Sequence, residues 1–266
     1  GYQMRLALAN GRLCMLYASA FFLFDKPCWE IDSVLFFADD VEAEQIRVCD
    51  PAFPHEQAMS LHIAAEPTLA QKPAATRTLQ SEDVEWMKAT VVEDVNLMAF
   101  CNDYPTSYFG DDFMTRWAIY ANTPMSRKVQ DSLYPQLRRW IAGRSKAEAV
   151  DILCHWVQTA FVYEYDDKVW GGDRAFFPDE TLYYPYCDCE DRSILLTRLV
   201  RDLLGLRCAL VYYPEHLATA IAIGEDVQGE HIRIGGTKFL VCDPTYIGAP
   251  IGVTMSEMDN QTAKVI

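Results

Sequence analysis

From Asp188 to Gly205 the chain spells out one helix, with its start and its stop, and the rest must be arranged around it. Asp188 suits an N-cap, because a short carboxylate can accept from the unpaired N–H groups of a first turn. Ile194, Leu195, Leu196, Leu199, Val200, Leu203 and Leu204 then recur at helical spacing, and Gly205 supplies the residue best suited to end a helix. So apolar a helix needs cover from neighbouring layers. Cys189 falls in its first turn, facing free N–H groups and the positive dipole end, which favours thiolate. That position points to nucleophilic chemistry; the competing reading is a small, buried, inert thiol.

Upstream, residues 1 to about 50 read as strands. Asn10-Gly11 is a two-residue hairpin signal between Tyr2–Leu8 and a buried strand from Leu13 toward Phe24, and Val34–Phe37 reads as another strand. Four prolines between Pro51 and Pro73 break up the next stretch, which ends in the polar run Gln71 to Ser81. Val84–Phe100 and Met114–Tyr120 look like further strands. Beyond Asn122 the period becomes helical: Val129, Leu133, Leu137, Trp140 and Ile141 share a face, with Pro135 expected to kink or split the helix. Ser145 and Glu148 form a capping-box pair ahead of a helix faced by Ile152, Leu153, Trp156 and Val157. After Gly205 come three strand candidates, Cys208–Tyr213, Leu217–Ile223 and Lys238–Cys242. The expected class is α+β, with a β-rich module over 1–121 and a catalytic domain over 122–266.

A cysteine nucleophile needs a base, and the base needs an orienting group. His216 stands at the start of a strand after the Pro214-Glu215 turn, and Asp243 ends the Lys238–Cys242 strand before Pro244-Thr245. Each is 27 residues beyond the last, spacing that suits a helix packed across neighbouring strands. The Cys189 N–H is one expected oxyanion donor; for the second, the candidates are Gln158, Trp156 and Trp170, with Gln158 preferred. Asp191 reads as structural, pairing with Arg192 or Arg198. Tyr165, Phe177, Tyr183 and Tyr184 either line a substrate groove or anchor their loop. Cys154-His155 and Cys187-x-Cys189 could be grouped as zinc ligands, but their spacing fits no familiar zinc pattern, and the expectation is no metal and no cofactor.

Taken together, Asp188-Cys189-Glu190-Asp191-Arg192, His216 before an apolar strand, and Asp243-Pro244-Thr245 resemble the transglutaminase-like superfamily of papain-type cysteine enzymes. The resemblance spans about Ser145 to Pro250. It implies a core with the cysteine at the N-terminus of a helix packed on an antiparallel sheet, and a thiolate–imidazolium pair of Cys189 and His216 held by Asp243. It also implies acyl chemistry at an amide. Cys187 stands where many members carry glycine, and is expected to pack rather than to form a strained disulfide with Cys189. Hydrolysis of a peptide or protein amide is the leading expectation. Acyl transfer to a second amine, or a silent binding module keeping the fold, are the alternatives.

A net charge of -15 argues against nucleic acid as a partner, and the longest apolar run, Leu13 to Phe24, is too short to span a membrane. Nine cysteines, an odd number, several inside apolar runs, do not suit a disulfide scaffold and lean toward a reducing compartment. Gly1 leading directly into a strand-like pattern reads as a trimmed start, so an exported origin stays open. Finally, residues 1–8 echo Gly205–Val211, with Arg12 and Asp39 at the offsets of His216 and Asp243. Two readings stay open for the first module: a degenerate, histidine-less repeat of the catalytic strands, or the match that any three-stranded meander gives.

Overall fold

The computed structural model describes residues 63, 65–104, 112–224 and 226–266 with their side chains, and the backbone of short strands before residue 49. The chain divides into two compact units: residues 1–62 with 103–116, and residues 63–102 with 117–266. In the first unit β1 (Leu6–Ala9) and β2 (Arg12–Met15) form the expected hairpin, with Ala9 opposite Arg12. β3 (Phe21–Leu23), β4 (Lys26–Ile31) and β5 (Val34–Phe37) make a separate meander, and β6 (Arg47–Val48) pairs with β1.

The second unit opens with an antiparallel hairpin, β7 (Ala74–Gln80) and β8 (Lys88–Asp94). The stretch through Phe100 is therefore strand only as far as Asp94. There the Asp94 carboxylate accepts from the N–H groups of Asn96 and Leu97 and starts α1 (Val95–Asn102). Met114–Tyr120 is likewise helical, within α2 (Phe113–Asn122); Trp117, Tyr120 and Ala121, buried at helical spacing, outweigh local strand preference. Pro135 sits inside one continuous helix, α3 (Arg127–Ile141), and does not divide it. α3 also closes the free edge of β8: Ser132 Oγ accepts from the Val92 N–H, and the Gln136 amide bonds both ways with the Thr90 backbone. An exposed strand edge thus becomes satisfied polar backbone.

α4 (Lys146–Thr159) starts at the predicted capping box, with Ser145 N–H on Glu148 and Glu148 N–H on Ser145 Oγ. Then follow β9 (Val162–Tyr163), α5 (Asp166–Val169), α6 (Pro178–Tyr183), β10 (Tyr186–Cys187) and α7 (Cys189–Leu204), which Gly205 ends in the left-handed conformation at φ 64°. The last strands are β11 (Cys208–Tyr213), β12 (His216–Ile221), β13 (His231–Ile234), β14 (Thr237–Cys242) and β15 (Lys264–Val265). They form one antiparallel sheet in the order β13-β14-β12-β11-β15.

The fold is therefore α+β, as expected. One core joins Leu79 and Val91 of the hairpin, Leu133 and Leu137 of α3, Leu153 and Trp156 of α4, and Leu195 and Leu199 of α7. Each such side chain contributes about 1.5–3 kcal/mol on burial. A second core of Val211, Ala218, Ala220, Phe239 and Val241 forms between strand residues of alternate parity. At the offset of the expected repeat, the pairings β1–β2 and β4–β5 correspond to β11–β12 and β13–β14, while the β12–β14 pairing has no counterpart among the strands described in the first unit. Asp39 lies outside the described residues. Among the described residues no helix is long and apolar enough to cross a membrane.

Candidate active site

The site begins where α7 meets β12. Their contact is fixed by hydroxyl groups as well as leucines. Ser193 Oγ donates to the Leu217 carbonyl (2.8 Å), Thr219 Oγ1 donates to the Ser193 carbonyl (3.1 Å), and the Thr197 and Thr219 hydroxyls stand 3.4 Å apart. Cys189 opens the helix, partly exposed, and its sulfur receives a backbone hydrogen bond from Leu217. His216, one residue before Leu217, is the first residue of β12. It follows the Pro214-Glu215 turn, in which Glu215 adopts φ 61°.

Buried beside β12, the His216 Nε2 lies 2.8 Å from Asp243 Oδ2. The other oxygen of Asp243 accepts from the Thr245 hydroxyl (2.6 Å) and from the N–H groups of Thr245 and Tyr246. Burial alone would raise this carboxyl; the bonds from His216 and Thr245 outweigh it and hold it below the usual range. With Nε2 engaged by the carboxylate, Nδ1 is the nitrogen left to exchange a proton.

The Cys189 thiol departs from expectation. Burial pushes it well above its ordinary value, with the charges of Glu190 and Asp188 adding to the rise and the Leu217 N–H opposing it. Its hydrogen bond goes to Glu190 Oε2 at 3.2 Å, and among the described residues there is no thiol–imidazole hydrogen bond. Burial, with the neighbouring carboxylates adding to it, thus outweighs the helix N-terminus here.

Gln158, the preferred second oxyanion donor, has its amide hydrogens engaged elsewhere. Its amide nitrogen donates to the carbonyls of Asp243 (2.8 Å) and Ala249 (3.0 Å), so both hydrogens brace the loop that carries Asp243. Asp191 is structural, as expected, but its partners are the N–H groups of Phe176 (2.7 Å) and Asp188 (3.2 Å), not an arginine. Arg198 bonds Asp202. Fully buried Arg192 donates to the carbonyls of Gln158 (3.0 Å) and Phe161 (2.8 Å) and to Cys187 Sγ (3.4 Å), clamping α7 to the end of α4 and to β10. Cys187 therefore packs, and burial raises its thiol despite the arginine.

The zinc grouping does not form, since His155 pairs with Asp83 and Cys154 is sealed in the core. What converges instead is acidic. Side-chain ligand atoms lie within 4.8 Å of one another in the sets Asp188–Cys189–Glu190, Asp166–Asp188–Asp191 and Asp166–Asp173–Glu190. These mostly oxygen sets suit a cation. Asp166 and Asp173 escape sequence reasoning because only the fold brings their loop to the helix start. Tyr163, exposed on β9, is close enough to Cys189, Asp188 and Glu190 for their charges to raise its hydroxyl further, after burial. Tyr165 and Tyr186 are exposed on the same stretch, whereas Phe177 stacks on Tyr120 and Tyr184 on the Arg174 guanidinium, anchoring the loop. No protein-family model matches this chain, and no curated protein matches it significantly.

Proposed function

We propose that the protein is a cysteine hydrolase with a transglutaminase-like core, acting on amide or peptide bonds through a thioester acyl-enzyme. The observation that carries this reading is the junction of α7 and β12. A helix-start thiol receives the Leu217 N–H, and the residue before Leu217 is a histidine bonded to a buried carboxylate. Cys189 passes its proton to His216 Nδ1 and attacks the substrate carbonyl, whose oxygen becomes anionic near the N–H groups that open α7. As the C–N bond breaks, His216 returns the proton to the departing amine. A water then adds to the thioester, giving up a proton to His216; the C–S bond breaks, the acid leaves and the thiol is restored. Asp243 keeps Nε2 protonated and the ring oriented throughout. For the first step the sulfur must leave Glu190 for the imidazole, a tightening common when substrate binds.

A second reading, a binding module without turnover, is favoured by one observation: the Cys189 thiol donates to Glu190, not to His216, and burial raises it above its ordinary value. Peptide vinyl sulfones separate the two, with modified residues located by mass spectrometry. The hydrolase reading expects rapid labelling at Cys189 that is lost in Cys189→Ala and strongly slowed in His216→Ala. Labelling at Cys189 no faster than at Cys208, the other partly exposed thiol among the described residues, would leave the binding module standing.

A further inference from the structure

A carbonyl oxygen that turns anionic as Cys189 attacks is best held by two donors, and the N–H groups that open α7 supply the first. Three side chains answer to the second role by sequence, and the fold occupies or seals each of them. Gln158 spends its amide hydrogens on the carbonyls of Asp243 and Ala249. Trp156 is fully buried between the rings of Trp140 and Phe161, with its Nε1 sealed from solvent. The Trp170 Nε1 is sealed likewise, its ring packed on Phe176 and Tyr184.

Tyr163 is differently placed. On β9 it pairs with Cys187 of β10, two residues before Cys189. Paired residues on neighbouring strands share a face, and here both side chains meet Arg192. The Arg192 Nε donates to Cys187 Sγ (3.4 Å), while its guanidinium carbon lies 5.4 Å from the centre of the Tyr163 ring. Arg192 and Cys189, three residues apart, lie on one side of α7. Tyr165 sets the ring further, edge-on at 5.5 Å. The phenol is thus held over the first turn of the helix that carries the thiol. At 37% exposed it is open to a substrate. Among the described residues its ring has partners and its hydroxyl has none, which leaves the O–H free to donate. Burial, and then the charges of Cys189 and Asp188, keep the phenol protonated far above neutral pH, as a donor must be.

We propose that Tyr163 is a catalytic residue whose hydroxyl is the second oxyanion donor, giving its hydrogen bond to the substrate carbonyl oxygen as the Cys189 sulfur adds to the carbon. This rests on the reading of Cys189 as a nucleophile. The phenol gives a hydrogen bond and transfers no proton, so His216 remains the acid and the base.

Two reagents for the same thiol test this. p-Nitrophenyl acetate acetylates cysteine by attack at a carbonyl, whose oxygen gains negative charge before p-nitrophenolate leaves. Iodoacetamide alkylates it by displacing iodide from a saturated carbon, where no oxyanion forms. Both products are located by mass spectrometry, with Cys208 as the internal reference. In Tyr163→Phe, which keeps the ring over Arg192, acetylation of Cys189 should slow by about 100-fold. Its alkylation rate, and the pH dependence of that rate, should stay as in wild type. Equal slowing of both reactions would mean that Tyr163 only holds the helix start in place, and would overturn the assignment. Acetylation as fast as in wild type would overturn it too, and leave the hydrolase reading intact. Acetylation of wild-type Cys189 no faster than that of Cys208 would remove the hydrolase reading, and this proposal with it.

Discussion

The imidazole of His216 and the carboxylate of Asp243 stand 2.8 Å apart across adjacent strands, and both are buried. The carboxylate is held in turn by Thr245 and Tyr246, and its backbone carbonyl by Gln158. A histidine fixed this way has one tautomer and one orientation, which a base needs and a surface histidine lacks.

Asp243→Asn should therefore disturb catalysis far more than folding. The amide keeps the shape but can present its NH2 to Nε2 and so favour the opposite tautomer. Vinyl-sulfone labelling at Cys189 is expected to fall by about 100-fold or more. Urea unfolding should register a loss of about 1–3 kcal/mol.

Acid should weaken this part of the molecule. The Asp243 carboxyl is held below its ordinary value in the folded state, so its contribution to stability is present above the unfolded pKa and is lost as pH falls through the folded one. Wild type should lose stability on acidification more steeply than Asp243→Asn, measured by urea midpoints across an acidic pH series.

Glu93 should act in the opposite sense. It is 1% exposed, and neither carboxylate oxygen has a partner among the described residues. Burial, with a further push from Asp179 against the pull of Arg77, raises it to about 9. The folded protein therefore binds a proton that the unfolded chain releases near its ordinary value of 4.5. That stability is fully present below the unfolded value and drains away as pH climbs toward about 9. Glu93→Gln should flatten this alkaline decline, and an unchanged slope would show that Glu93 is not its source.

Arg192→Lys should be costly although the charge is kept. One ammonium cannot reproduce the fork that spans the Gln158 and Phe161 carbonyls. A loss of about 2–4 kcal/mol in denaturant unfolding is expected from acceptors left unsatisfied in a sealed site.

Glu190→Gln should make the thiol more acidic, because it replaces a charged acceptor on Cys189 Sγ with a neutral one. The pH profile of iodoacetamide alkylation at Cys189 should move to lower pH relative to wild type, while that of Cys208 stays put. A purely structural role for Glu190 would move neither.

Sequence reading succeeded where a local rule coincides with the global fold. Gly205, Ser145 with Glu148, and the hairpin before Arg12 act through their own neighbours, and each does what its residue type dictates. It failed where packing decides. Trp117 and Tyr120 favour strand locally but are buried as a helical face, and Pro135 is tolerated inside a helix whose other residues pack well. Two-residue strands such as Tyr186–Cys187 and Lys264–Val265 carry too little pattern to be recognised. At the site, the order Cys189, His216, Asp243 was visible, because strand ends and helix starts announce themselves. The state of the thiol was not, because how deeply Cys189 is buried, and how that burial weighs against the helix dipole, is a property of three dimensions.

The hydroxyl contacts of Ser193, Thr197 and Thr219 have a mechanical meaning. A helix resting on a sheet through leucines alone can slide by a fraction of a turn at little cost, since methyl groups accept many neighbours. Reciprocal donors and acceptors permit one alignment, so here they act as dowel pins between two sliding plates. The height of the sulfur above the strand that carries His216 is thus machined into the interface rather than left to the elasticity of the core.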